Sequence, residues 1–533
     1  MKINCIALFL TTAFLFGCDS PNKEETQLPI EPVVENTSTH GSPIHWFEGT
    51  IEEGFALAKA QSKPVFLYWG AVWCPPCQEI KHTVFKSPQF IAQSKLFVPI
   101  YLDGDTDRAQ AWGETFGVKG YPTMIVFSPA GEEITRIPGG IDISRYNSVL
   151  ALSLNTMRPT SMLVELALND PEALRPSDFV QLAYYSWGQD SDSLPEGTPA
   201  TFFRDLSQLS NEKEVSARFY MHYLTALSEE LNAEATEDES AAPAVPTSTD
   251  AYVRLMGYLD STEVTLAVWE YFGNYAEEIV ELPVFGKDEL GPLKEKWQTK
   301  MLALRSQPSL STAERLTAWL PLLVFHFMED ADAPLPEEII ADIMADVEKA
   351  DGETSNAYER QSVVSQMDYI LQSAKLYEPA RALLLAELTK SASPYYFMSS
   401  LAYLEEEQGN ITEALEWRLK AYQSSEGEAT RLQWGGSYVR AIVRMTPENH
   451  LLVMSSAMNL LDELQGDQTP FSGRNFRVLR SVNTQLNTWE DEQGVEGLAK
   501  PFQRRMTSLC EKQKEPSMEL ENCLSLKNAG GKG

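Results

Sequence analysis

Basic charge is scarce in this chain: 43 lysines and arginines stand against 76 aspartates and glutamates, a formal net charge of -33 over 533 residues. Such a surface repels phosphate backbones, so no nucleic-acid partner is expected. Histidine is scarce as well, and His40, His45, His82, His222, His326 and His450 are scattered without H-x-x-H or H-x₃-H spacing. No metal site is indicated. Glycine-rich phosphate loops and G-x-S-x-G elbows are missing, which removes the usual machinery of nucleotide binding and serine hydrolysis. Beyond the N-terminus no apolar run is long enough to cross a membrane. Cysteine is limited to positions 5, 18, 74, 77, 510 and 523. Few as they are, these six carry most of the functional signal.

The first two belong to export. An apolar run from Ile3 to Phe16 follows Lys2 and ends in Gly17-Cys18, and it reads as a signal peptide over residues 1–18. The ending Leu15-Phe16-Gly17-Cys18 resembles the lipobox of bacterial lipoproteins, in which the cysteine is lipidated and becomes the mature N-terminus, although Phe16 is bulkier than that position usually holds. A plain secretory signal is the alternative. In the lipoprotein pattern an aspartate after the lipidated cysteine, here Asp19, implies retention at the inner membrane. Residues 19–42, rich in Pro, Glu and Thr, suit a flexible tether between that lipid anchor and the folded protein.

The length calls for more than one domain, and 43% hydrophobic residues supply sizeable cores. Cys74 and Cys77 stand in VWCPPCQ, after the buried-strand run Pro64 to Trp69 and before the helical QEIKHTVF. At a helix N-terminus, free N–H groups and the positive dipole end favour an anion, lowering the pKa of an exposed first cysteine. That assigns Cys74 as nucleophile. A three-residue step puts Cys77 on the same side of the first turn, able to attack a mixed disulfide at Cys74 and resolve it. Pro75 and Pro76 cost little in a first turn and stiffen it, so they form the active-site turn. A zinc site would need two further ligands that the neighbourhood does not offer. In an oxidising compartment Cys510 and Cys523 are well placed to close a short loop as a structural disulfide, two free thiols being the alternative.

With these elements in order, residues 43–158 resemble a thioredoxin-fold domain, and most closely the soluble C-terminal domain of transmembrane thiol:disulfide interchange proteins. KPVFLYWGAVWCPPC, the strand FVPIYLD and FGVKGYPTMIVFSPAGEEI carry the likeness. Gly120-Tyr121-Pro122-Thr123 looks like the family's cis-proline loop, which implies that Trp73, Tyr121, Pro122 and Thr123 bind substrate and that the loop accepts an extended client as an added strand. Gly139-Gly140 fits the bend beside it. The resemblance implies protein thiols and disulfides as substrates, a membrane-bound electron donor and no cofactor. One departure is Tyr68, where the family often keeps a buried aspartate that relays a proton for the resolving thiol. Glu79, close in sequence, reads as a solvated helix-surface charge.

Beyond residue 158 the pattern becomes helical. Residues 159–232 form one helical region, 233–250 (Ala-, Pro-, Thr- and Glu-rich) a disordered linker or loop, and 251–533 a second helical region. Tyr369, Ile370 and Ala380 recur 34 residues later as Tyr403, Leu404 and Ala414, the tetratricopeptide period. LAYLEEEQGNITEALEWRLKAY (401–422) resembles such a repeat, with small residues at Gly409, Ala414 and Ala421. SAKLYEPARALLLAEL (373–388) is a degenerate neighbour with Lys375 and Glu387 where small residues belong. Stacked hairpins of this kind imply protein partners. The expected fold is thus an α/β thioredoxin fold followed by a large all-α domain of tetratricopeptide-like hairpins. The expected activity is a periplasmic disulfide reductase, with an oxidase or isomerase, or a non-catalytic scaffold, as alternatives.

Overall fold

The computed structural model describes residues 43–156, 158–195, 199–234, 248–464, 470–512 and 518–528. Cys18, the tether 19–42 and most of the interval 233–250 lie outside the described residues. Into that interval the structure extends a helix at each end, Lys213–Glu234 and Ser248–Asp260.

A four-stranded mixed sheet lies at the N-terminal end of the described chain, in the order β2-β1-β3-β4. Strand β1 (Val65–Gly70) pairs in parallel with β2 (Val98–Asp103) and antiparallel with β3 (Thr123–Phe127), which pairs antiparallel with β4 (Glu133–Arg136). Being central and covered on both faces, β1 is apolar throughout rather than alternating. Its residues divide by parity. Val65, Leu67 and Trp69 pack with Ile125 and Phe127 beneath helices α1 (Ile51–Gln61) and, later in the chain, Asp107–Thr115. Phe66 and Tyr68 point the other way, with Met124 and Val126, toward α2 (Pro75–His82) and Ile143–Thr156.

That second face does not end at a domain border. Its apolar cluster runs on through Leu163, Leu182, Phe219 and Trp297 to Phe325, taking in Leu227 before the interval 233–250 and Leu255 after it. The sheet domain and the first helices therefore share one core.

Among the later helices, chain neighbours pack in pairs, including Ala357–Ser373 with Tyr377–Glu387 and Pro394–Glu407 with Ile411–Ser424. The 34-residue pairs occupy matching places: Ile370 and Leu404 are buried, as are Ala380 and Ala414, whereas Tyr369 and Tyr403 are both exposed. Both departures from small residues have a physical account. Lys375 and Gly409 each take a left-handed backbone at the hairpin turn, with φ of 57° and 75°, so glycine is favoured there and lysine strained. Glu387 is fully buried because Arg360 reaches it with Nε at 3.0 Å and Nη2 at 2.6 Å, a charge-assisted pair in place of a small side chain.

Candidate active site

Cys74 is the N-cap of α2, and the backbone N–H of Cys77 donates to its Sγ at 3.2 Å. The two cysteines are joined as a disulfide with Cα atoms 5.2 Å apart. Pro75 and Pro76 occupy the first helical positions, where no N–H is needed. Once reduced, a thiolate at Cys74 keeps that N–H and the helix dipole as its stabilisers. The Tyr121–Pro122 peptide bond is cis. At Gly139 an added Cβ would lie 3.1 Å from both Pro122 and Ile80, so the bend at Gly139-Gly140 packs directly against the proline loop.

The expected exposure is overturned. Cys74 is 2% exposed and Cys77 0%, because the helical region sits on the dithiol: Tyr395, Ala421 and Trp434 join Trp73 and both cysteines in one apolar cluster. Trp73 is held at both ends, its indole N–H donating to Thr430 Oγ1 at 3.0 Å and its carbonyl accepting from Gln361 Nε2 at 3.1 Å. The Thr430 hydroxyl donates in turn to Asp105, which also accepts from Arg474 Nη2 at 2.7 Å. The Arg474 guanidinium lies 5.4 Å from the Tyr121 ring centre. Nearby, Gly473 N donates to Glu114 at 2.8 Å and Arg474 N to Gln110 Oε1 at 2.8 Å. Gly473 has φ of +51°, and a Cβ there would stand 2.9 Å from the Gln110 carbonyl oxygen, so glycine permits this close approach.

The other expected substrate-binding groups are engaged by the protein itself. The Pro122 carbonyl accepts from Gln189 Nε2 at 2.6 Å, and Thr123 is fully buried with its hydroxyl donating to Gly120 O at 2.8 Å. The carbonyls of Gly120 and Pro122 are thus already bonded within the protein.

Tyr68 lies beneath the motif, fully buried, with its hydroxyl donating to Cys77 O at 3.4 Å. Burial and the nearby charge of Asp103 push its pKa far up, so it supplies no base. The half-buried carboxyl of Asp103 is itself pushed up, first by desolvation and then by Asp105. Glu79 is not the solvated charge its position suggested. It is half-buried against the helical region, accepts from the Ser311 hydroxyl, and has its pKa raised by burial and held back by that hydrogen bond. Ser311 also caps the helix Thr312–Thr317, whose Glu314 is driven up to about 8 by burial and by the charge of Glu79.

At the far end Cys510 and Cys523 are joined, with Cα atoms 5.5 Å apart, and are buried in the C-terminal core. No helix among the described residues is long and apolar enough to cross a membrane. Asp105, Thr430, Arg474 and Trp434 escape sequence reading, since nothing local ties them to the motif.

A cysteine pair capping a helix opposite a cis-proline, on a four-stranded mixed sheet, defines a thioredoxin-like α/β domain followed by an all-helical region. Residues 51–153 match the family model of the thioredoxin-like domain. The thiol:disulfide interchange protein DsbD of Yersinia pestis (strain Pestoides F) is 34% identical over 96 residues, 17% of this chain and 16% of that protein. Thioredoxin H4 of Arabidopsis thaliana is 34% identical over 84 residues, 15% of this chain and 65% of that one. A thioredoxin from Thermus thermophilus, solved in solution, is 27% identical and covers 20% of this chain and 85% of its own, with a TM-score of 0.19. The chain thus spans about a sixth of the interchange protein's length, and the helices beyond residue 153 lie outside the matched family model.

Proposed function

We propose that this protein is a thiol:disulfide oxidoreductase acting on protein substrates through Cys74 and Cys77. The observation that carries the reading is the Cys74–Cys77 disulfide at the N-terminus of α2, in a domain with a cis bond at Tyr121–Pro122. In the reducing direction, the Cys74 thiolate attacks a client disulfide, forming a mixed disulfide and releasing one client thiolate. Cys77 then attacks Cys74 Sγ, the second client sulfur leaves as a thiol, and the Cys74–Cys77 disulfide remains. The two electrons come from the dithiol, and a membrane-bound dithiol donor restores it. Trp73, Tyr121, Pro122 and Thr123 contact the client once the helical cover has moved aside.

The rest of the reading is anchorage. The protein is exported, processed at Cys18, lipid-anchored in the periplasm at the inner membrane, and presents its helical region to partner proteins. Cys510–Cys523 braces the C-terminal end. Changing Cys18 to Ala moves the protein from membrane to soluble fraction if this holds, and an unaltered fractionation and N-terminal mass count against it.

The deciding experiment is trapping. With Cys77→Ala, reducible covalent adducts accumulate in cells, and with both cysteines changed to Ala none form. A redox titration of the purified chain then sets direction, a strongly oxidising potential favouring an oxidase. The close cover over the dithiol also favours a second reading, a scaffold in which partner binding is retained in the double mutant and no adduct forms with Cys77→Ala.

A further inference from the structure

Ser311 joins the sheet domain to the later helices beside the dithiol. Its hydroxyl donates to Glu79, two residues after Cys77 on α2. Its backbone N–H donates to Glu314 Oε2 at 2.6 Å, and its Oγ accepts from Glu314 N at 3.1 Å. One serine thus holds a carboxyl from each side. Among the described residues no cation pairs with either: Lys81 on α2 acts on Asp103, Arg145 is bound to Asp142 and Glu214, and Arg360 to Glu387. Arg315, next in the chain, lines a separate crevice with Asp346. The other charges nearby are Asp142, which opposes ionisation of Glu314, and Glu359, which faces His82 of α2, a group whose pKa burial lowers.

The surrounding packing ties this cluster to the dithiol. Leu310 and Ala318 belong to the core shared with the sheet, whereas Leu316 and Trp319 belong to the apolar cluster that runs through Val364 to Leu401. Helix Thr312–Thr317 therefore lies on the border between the two. Helix Ala357–Ser373 packs against both that helix and α2, and it carries the Gln361 that holds the Trp73 carbonyl. A displacement at Ser311 is carried to the cover of Cys74 through one helix.

We infer that Glu79, Ser311 and Glu314 form a proton-operated latch on the helical cover, closed while the two carboxyls share a proton and released when both ionise and the proton passes to solvent. The inference rests on the proposed oxidoreductase activity and concerns its regulation, because client proteins reach Cys74 only with the latch released. Two carboxylates on one hydroxyl, without a cation, repel each other strongly in surroundings of low polarity, and separation into water relieves both. Glu314 titrates at about 8 in the closed arrangement against an ordinary 4.5, so opening releases a proton across that interval. The latch is fully engaged below about 4.5, weakens progressively as pH rises to about 8, and changes no further above that.

The test is alkylation of Cys74 in the full chain carrying Cys77→Ala, with N-ethylmaleimide and with a polymer-linked maleimide, from about pH 5.5 to about pH 8.5. Thiolate formation speeds both reagents alike, so the ratio of the bulky to the small rate reads the cover. That ratio is expected to rise severalfold per pH unit between about 6 and 8 and then level off. Adding Glu314→Gln or Glu79→Gln, which leaves one carboxyl and a neutral amide on the serine, should keep the ratio low and nearly flat. The two substitutions lie on opposite sides of the interface, so either one that folds is sufficient. Alkylation needs only a thiol at Cys74, which separates this inference from the redox reading: adducts trapped in cells together with a pH-independent ratio would keep the activity and remove the latch. A ratio that is flat or falls with pH overturns the inference, as does a rise that neither Gln substitution alters.

Discussion

The guanidinium of Arg474 lies 5.2 Å from the ring centre of Trp73, bringing a buried cation from the C-terminal helices to the residue beside Cys74. Its Nε and Nη1 have no acceptor, so Asp105 neutralises it incompletely. A cation in a buried site favours the thiolate of a reduced cysteine. Arg474→Gln should therefore raise the Cys74 thiol pKa, Arg474→Lys should largely preserve it, and Asp105→Asn should lower it. Ultraviolet thiolate absorbance across pH reads all three. Shifts of the same sign for Arg474→Gln and Asp105→Asn would mean that the two act only by loosening the interface.

Closure over the dithiol has a measurable consequence. Thr430→Val keeps the side chain's shape but removes the acceptor for the Trp73 indole and the donor to Asp105. Each lost hydrogen bond is worth about 1 kcal/mol, so with both gone a bulky maleimide should reach Cys74 about thirtyfold faster in a Cys77→Ala background, with a smaller gain for iodoacetamide. Equal rates with and without Thr430→Val would show that this contact does not limit access.

A second closure lies at Glu79, Ser311 and Glu314. Glu314 titrates near 8 in the folded protein against an ordinary 4.5, so the folded state holds a proton that the unfolded chain releases. A raised carboxyl pKa makes its contribution fully present below about 4.5 and lost progressively as pH rises to about 8. Glu314→Gln, which mimics the protonated form, should melt close to wild type at pH near 4.5 and increasingly above it as pH approaches 8. A melting-temperature difference that stays flat with pH would dispose of this account.

Tyr68 forces a trade. Tyr68→Asp restores the carboxylate that the resemblance calls for beneath Cys77, and should speed resolution of the mixed disulfide in stopped-flow measurements. It also removes a fully buried ring packed against Trp46, Phe85 and Tyr101, with ring centres at 6.1, 4.9 and 5.4 Å, and should cost about 3–5 kcal/mol of stability. Unchanged resolution in a variant that still folds would place the proton acceptor elsewhere, with Asp103 the next carboxyl to change.

What can be read from the sequence alone is local. The apolar run of β1, the prolines after Cys74 and the order of motif, strand and proline loop are enough for the thioredoxin-like sheet and its dithiol, because strand, turn and helix-cap chemistry act within a few residues. The 34-residue spacing likewise places Tyr369 and Tyr403 in matching positions, since hairpin stacking repeats with the chain. Tertiary structure alone decided that the dithiol is covered, that Glu79 faces another carboxyl, and that Thr430, Trp434 and Arg474 surround Trp73. Those contacts join residues hundreds of positions apart, where no periodicity links one partner to the other. Their strength comes from exclusion of water at a shared surface, and that surface exists only once both halves have folded.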